Sequence, residues 1–436
     1  MPVSPLVFLC SIGSSIGILL ATASVYGETS PLPMAKPASV GFSVERLKLL
    51  DVMFKRSVDT QQFAGFVTMM ARHGKLVGQR IYGYQDIASK KAMQRDTIFR
   101  IYSMTKPITG TAMMILYEDG RWKPSDPIAK FIPEFADLKV YAGSDRHGNA
   151  KLVAPDHAPT MGELMCHTAG FSYGFFGDAV DKLYDNAGLF EAASLGDFIT
   201  KLAKLPLAYQ PGEAWRYSVS VDVQGYLVEK LSGQPLADFV RQRILLPLGM
   251  KDTDFFVPQE KLARLATVYK PDRAQTSLVG VPHDAHVSQP PAMPSGGGGM
   301  YSTAGDYLRF VQMLLNGGEL GGVRVLSPST VQLMRSNHLP ERVQTGKYGI
   351  GPYTMQPGLG FGYDFAVLED PTKIGSTAGK GSYLWNGLAG TWFWIDPTND
   401  LVFVGMVQRL ASEPGMPDIE NTSRALVYQA LTEPGK

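Results

Sequence analysis

Cysteine is nearly absent: two in 436 residues, too few for a disulfide framework or a four-cysteine structural zinc site. Net charge is nearly absent as well, with 41 lysines and arginines against 40 aspartates and glutamates. A chain without a basic field has nothing to draw in a phosphate backbone, so no nucleic-acid partner is expected. No internal repeat is visible. What is present is 44% hydrophobic and 10% aromatic residues, enough for a large core and unlike a disordered or fibrous chain.

Charge is also missing locally. No residue from Met1 to Gly27 is charged, and Leu6 to Leu20 is mostly apolar. Ala21-Thr22-Ala23 has the small-x-small pattern of a signal-peptidase site, and Gly27 offers a second. The expectation is a signal peptide over 1–23, or to 27, and a periplasmic or secreted protein. The basic residues that open most signals are missing, and an uncleaved anchor of about 20 residues is the competing reading. Removal of the leader takes Cys10 with it and leaves Cys166 without an intramolecular partner.

Hydrophobic spacing gives the organisation. Ser43 is placed to cap a helix from Val44 towards Lys55, with Leu47, Leu50 and Phe54 on one face. Phe66–Arg72 and Leu76–Tyr84 are β-rich runs joined through His73-Gly74, a hairpin. Lys106–Tyr117 reads as a helix ending at Asp119-Gly120. Residues 121–289 are expected to form a mostly helical lobe, with stretches such as Ser194–Leu202, Val221–Leu231 and Pro235–Ile244, before a Pro- and Gly-rich return over Pro290–Gly299. A second hairpin, Thr391–Asp396 and Leu401–Gln408, precedes a closing helix over Pro417–Leu431. Hairpins are not parallel βαβ units. The expected class is therefore α+β: an antiparallel sheet built from both chain ends (40–120 and 290–433), flanked by helices, with 121–289 inserted.

Several serines compete as nucleophile. Two segments match the Gly-x-Ser-x-Gly elbow, which requires a strand before the serine and a helix after it. Gly13-Ser14-Ser15-Ile16-Gly17 lies in the apolar leader and is a chance match. Gly170-Phe171-Ser172-Tyr173-Gly174 follows the helix-like Met161–His167, so Ser172 is read as a loop residue. Ser103-Met104-Thr105-Lys106 is better placed. It opens the Lys106–Tyr117 helix, so the amine stands one turn from the hydroxyl, and the helix N-terminus favours a developing negative charge. A serine hydroxyl needs a neighbour to take its proton. Lys106 serves only if neutral, or if it holds a second base deprotonated. A tyrosine beside an ammonium is such a base. Two candidates stand open on motif alone: Tyr184-Asp185-Asn186, and Tyr217-Ser218-Val219 just before the Val221 helix.

Taken together these pieces resemble the serine hydrolases related to class C β-lactamases and penicillin-binding proteins, specifically family VIII carboxylesterases. The resemblance rests on Ser103-Met104-Thr105-Lys106, His167-Thr168-Ala169-Gly170, the run from Pro211-Gly212 to Trp215, Tyr217 and Ser218, Gly297-Gly298-Gly299-Met300-Tyr301-Ser302-Thr303, and Trp385-Asn386-Gly387 followed by Gly390 to Pro397. It spans about Val44 to Leu431. It implies Ser103 as the acylated nucleophile, Lys106 and Tyr217 as the pair that activates it, and the backbone N–H groups of Ser103 and Leu388 as the oxyanion hole, Leu388 on an edge strand. Trp385, Gly387 and Val219 would contact substrate, Gly387 by letting a ligand approach the strand. The flanking residues favour Tyr217 over Tyr184.

Two departures bear on substrate. Trp385-Asn386-Gly387 stands where β-lactamases have Lys-Thr-Gly, exchanging an ammonium for an apolar indole. Val219 stands where they have the asparagine of Tyr-x-Asn. Both suit a neutral small-molecule ester, although Lys380 lies close enough in sequence to restore a cation. The expected function is hydrolysis of short-chain acyl esters without a metal or cofactor. The alternatives are a β-lactamase or D-alanyl-D-alanine carboxypeptidase with the same site, and a non-catalytic binding protein of the same fold. His167 is read as a turn histidine supporting the site, His283 and His286 as lacking a third metal ligand, and Gly296–Gly299 as a turn, since it lacks the Lys-Ser/Thr ending of a phosphate loop.

Overall fold

The structure, a computed structural model, describes residues 1, 32–147, 149–274, 276–343, 357–410 and 417–435. The expected leader beyond Met1, its candidate cleavage sites and the Gly13–Gly17 segment lie outside them. Among the described residues no helix is long and apolar enough to cross a membrane.

Eight strands form one antiparallel sheet. In spatial order they are Leu359–Phe361, Ala366–Leu368, Tyr383–Asn386, Trp392–Asp396, Leu401–Met406, Gly65–Arg72, Lys75–Asp86 and Lys91–Ala92. The two expected hairpins meet at its centre, where Val67 pairs with Met406 and Arg72 with Leu401. His73 and Gly74 both have positive φ (54° and 65°), as a two-residue turn matching the strand twist requires. Gly65–Arg72, Trp392–Asp396 and Leu401–Met406 are buried at every position. They lack apolar–polar alternation because helices cover both faces. Phe54, on the helix Val44–Asp59, stacks on Trp392 from one side, while Tyr307, on the helix Ala304–Leu315, packs against Phe393 from the other. Consecutive strand residues point to opposite faces, so these contacts fix the layers. The Ser43 cap forms, its side chain accepting the Arg46 N–H. Buried Arg72 donates to the carbonyls of Val40, Asn399 and Glu433, tying both chain ends to the sheet.

The intervening stretch contains short helices, among them Met161–Met165, Ala179–Asp185, Leu195–Leu202 and Ser220–Ser232, together with two small hairpins, Val140–Ser144 with Ala150–Val153 and Val268–Pro271 with Leu278–Val281. The helix Thr105–Glu118 is buried from Thr105 to Leu116 and packs on Ser220–Ser232. A helix apolar on all sides belongs in a core, and this one carries the Ser103 segment into the junction between sheet and inserted stretch.

Candidate active site

Ser103 lies in a 3₁₀ turn, Tyr102–Met104, that runs into the α-helix starting at Thr105. The sequence places the serine at the head of the helix; the structure puts this tighter turn between. Tyr102, just before it, has φ 43°, a left-handed conformation that costs a bulky residue energy and is kept only where its surroundings enforce it. Lys106 is one turn further on and 1% exposed. Its Nζ donates to Gly297 O (2.7 Å), the Tyr173 hydroxyl (2.9 Å) and Ser103 Oγ (3.3 Å). An ammonium has three N–H bonds, and all three are directed at acceptors. The Tyr217 hydroxyl is 2.7 Å from Ser103 Oγ.

Tyr184 is elsewhere. It lies on the helix Ala179–Asp185, is 2% exposed, and donates to Pro206 O (3.3 Å). Ser172 is fully buried: it donates to Asp181 and accepts from Arg216 Nε (2.9 Å), while Arg216 also pairs with Asp178 and Asp181. This serine is the keystone of a buried ionic cluster.

Two participants, Tyr173 and Asp222, escape sequence reading, as does the role of Gly297. Tyr173 sits inside the Gly-x-Ser-x-Gly segment, 67 positions from Lys106. Burial, then the nearby Asp222, pushes its phenol well above the usual range, so it stays neutral and able to accept from the ammonium. Asp222 accepts from Ser295 Oγ and from Gly297 N (3.1 Å); burial raises its pKa, with Lys106 opposing. Gly297 leaves room for both groups, since a Cβ there would fall 2.7 Å from Asp222 Oδ2 and from the Tyr173 hydroxyl. The Gly296–Gly299 run is thus a tightly packed turn whose carbonyl faces Lys106. His167 is held neutral, its pKa pushed far down by burial and then by Lys106; its ring packs 5.2 Å from that of Tyr217 and Nδ1 contacts Ser218 Oγ (3.0 Å).

Three expectations change at the sheet side. Leu388 is on no strand: it lies in the turn after Tyr383–Asn386, closed by Gly387 N–H to Thr391 O (2.7 Å) and Gly390 N–H to Gly387 O (2.8 Å). Gly387 makes room for protein backbone rather than ligand, because a Cβ there would meet Ile101 O at 2.3 Å. That contact sets the Leu388 turn beside the Ser103 turn, and neither Ser103 N nor Leu388 N has a backbone acceptor among the described residues. Val219 is 0% exposed and its N–H donates to Ser172 O (3.2 Å), so it packs beneath the site. Trp385 is buried, its ring 5.4 Å from both Tyr217 and Phe361. The Lys380 backbone lies towards the opposite end of the strand, its carbonyl accepting from Thr398 Oγ1 (3.0 Å). His283 and His286 flank a turn in which Asp284 accepts the His286 N–H (2.8 Å), and no cluster of three metal-ligating side chains occurs among the described residues.

An antiparallel sheet between helical layers, with serine, lysine and tyrosine meeting at the junction, defines a class of serine hydrolase. The comparisons identify the family: the beta-lactamase family model matches residues 50–427, and the chain belongs to that family. Within it the chain is 33% identical over 377 residues to esterase EstB of Burkholderia gladioli, covering 81% of this chain and 88% of the relative. It is 37% identical over 358 residues (80% and 87%) to protein Rv1367c of Mycobacterium tuberculosis. Among solved structures it resembles EstCE1, a hydrolase with promiscuous acyltransferase activity, at 26% identity and TM-score 0.74, covering 88% of this chain and 98% of that one. These relatives group it with the family VIII esterases of the class C β-lactamase-like superfamily.

Proposed function

We propose that this protein is a carboxylesterase that hydrolyses short-chain acyl esters through an acyl-enzyme on Ser103. The observation that carries the reading is the convergence of the Tyr217 hydroxyl and Lys106 Nζ on Ser103 Oγ, at 2.7 and 3.3 Å. Because the three N–H bonds of Lys106 already have acceptors, the lysine acts as a fixed cation and Tyr217 as the group that takes the proton. Ser103 Oγ attacks the ester carbonyl as its proton passes to the phenolate oxygen of Tyr217, the form that an adjacent ammonium favours. The oxyanion collects at Ser103 N–H and Leu388 N–H. Tyr217 returns the proton to the departing alcohol, then deprotonates the water that releases the acid. The apolar Trp385 favours a neutral ester over an anionic lactam, and the name of EstB agrees with that choice.

An active-site fluorophosphonate followed by peptide mapping tests the nucleophile, and p-nitrophenyl butyrate against nitrocefin at equal enzyme tests the substrate class. Label on Ser103 with ester preferred is the expected result. Label elsewhere overturns the mechanism, and no label on folded protein favours a non-catalytic binding protein. A lactam preference moves the same site to β-lactamase or peptidase chemistry. The uncharged leader motivates the companion proposal of a periplasmic or secreted location, checked by N-terminal sequencing of the exported protein; an intact Met1 terminus on cytoplasmic protein refutes it.

A further inference from the structure

The Gly170–Gly174 segment is not a nucleophile elbow, yet it is built with care. The Ser172–Asp181–Arg216 cluster anchors its base, and two glycines with positive φ, Gly174 at 96° and Gly177 at 76°, bracket Phe175 and Phe176. Phe176 lies under the Arg216 guanidinium, 4.5 Å from the ring centroid, while its neighbour Phe175 is left 62% exposed. Phe175 stacks on Tyr173 at 4.8 Å and 10°. Phe190, from the turn Leu189–Glu191, lies nearly parallel to the same ring at 6.2 Å and 19° and is 50% exposed. One exposed aromatic says little. Two held nearly parallel to the ring that hydrogen-bonds Lys106 make an apolar wall opening from the site to solvent.

We infer that Phe175 and Phe190 are specificity residues that receive a ring-bearing alcohol portion of the ester. This rests on the esterase reading above and names the substrate class for it. When the ester C–O bond breaks, the acyl carbon stays on Ser103 Oγ and the alcohol oxygen takes its proton from Tyr217. That oxygen must lie within hydrogen-bond reach of the phenol, so the alcohol's carbon skeleton starts on the Tyr217 side. The Tyr173 ring is 5.2 Å from that of Tyr217, and Phe175 and Phe190 continue the aromatic surface outward. A flat ring one or two carbons from the ester oxygen stacks there; a short alkyl alcohol does not reach.

The test compares 2-phenylethyl acetate with ethyl acetate, whose alcohols are close in acidity, so their ratio reports recognition. Phe175→Ala and Phe190→Ala should each lower kcat/KM for 2-phenylethyl acetate about three- to tenfold, the scale of one aromatic contact, and leave ethyl acetate nearly unchanged. Phe175→Leu, apolar but without a ring, should fall between. Equal losses on both esters, or no loss on either, overturn the inference. So does a selective loss on ethyl phenylacetate, which would put the wall on the acyl side. If wild-type protein cleaves neither ester, the esterase reading itself fails; if it cleaves both and the variants do not discriminate, only this inference does.

Discussion

Lys106 meets Tyr217 face-on: its Nζ stands 4.5 Å from the centroid of the phenol ring, while its hydrogen bonds go to Ser103, Tyr173 and Gly297. The amine and phenol therefore share the serine without bonding to each other. A cation over a ring face is attracted to it, and this contact holds the ring so that its hydroxyl alone points at Ser103.

That arrangement separates the hydroxyl's role from the ring's. Tyr217→Phe keeps the face for Lys106 and the packing against His167 and Trp385, and removes only the oxygen 2.7 Å from Ser103. The fold should survive, and kcat for p-nitrophenyl butyrate should drop about 10²–10⁴-fold, the scale of a lost general base. A variant with wild-type kcat would return the base role to Lys106.

Parts of this site were legible because their geometry is local. Ser103 and Lys106 are one helical turn apart, and Tyr217 was marked by its neighbours. Tyr173 and Asp222 carry no such mark, and Gly297, though part of a motif, gives no sign of its partner: its carbonyl reaches Lys106 across 191 positions, a contact made by the fold as a whole. The two hairpins at the sheet centre read clearly as paired β-rich runs. Leu359–Phe361 and Ala366–Leu368, three residues each, are too short to show a period, and so are the strands of the two small hairpins within 121–289. The resemblance puts Leu388 on a strand and a ligand against Gly387; the turn closed by Gly387 N–H to Thr391 O explains the first difference, and the backbone of Ile101, pressed against Gly387, the second.

Ser172 should prove structural. Ser172→Ala leaves the Asp181 carboxylate and Arg216 Nε without their shared partner in a buried cluster, and an unmet buried polar group costs about 1–3 kcal/mol. A lowered denaturant midpoint is expected, with phosphonate labelling of Ser103 intact in the folded fraction. Loss of labelling at unchanged stability would return Ser172 to candidacy as nucleophile.

Gly297→Ala probes the acceptor side of Lys106. The new methyl would fall 2.7 Å from both the Tyr173 hydroxyl and Asp222 Oδ2, so either the turn or these two side chains must shift, and in each case an acceptor that places Lys106 is disturbed. Displacing a catalytic group by about 1 Å can cost on the order of 10²-fold, and kcat of the folded variant should fall towards that extent, with a lowered thermal midpoint from the crowding. Unchanged kcat would show that Gly297 O is dispensable for placing the amine.

Stability should depend on pH through Asp306, away from the chemistry. This residue, in the first turn of the helix Ala304–Leu315, is 9% exposed, and its carboxyl accepts the Asp252 N–H (2.7 Å) and the Thr253 hydroxyl (2.9 Å). Burial raises its pKa to about 6, against the pull of those two bonds. The folded protein thus holds this proton more tightly than the unfolded chain, whose ordinary carboxyl titrates near pH 4. Stability from this group is complete below about pH 4 and is lost as pH rises through about 6. Asp306→Asn mimics the protonated form and retains an oxygen for both donors. Urea unfolding of the two proteins side by side should show wild type losing on the order of 1–3 kcal/mol relative to the variant between about pH 4 and 7. Parallel stability curves over that range would mean that Asp306 titrates as an ordinary carboxylate, and that its two bonds offset its burial in full.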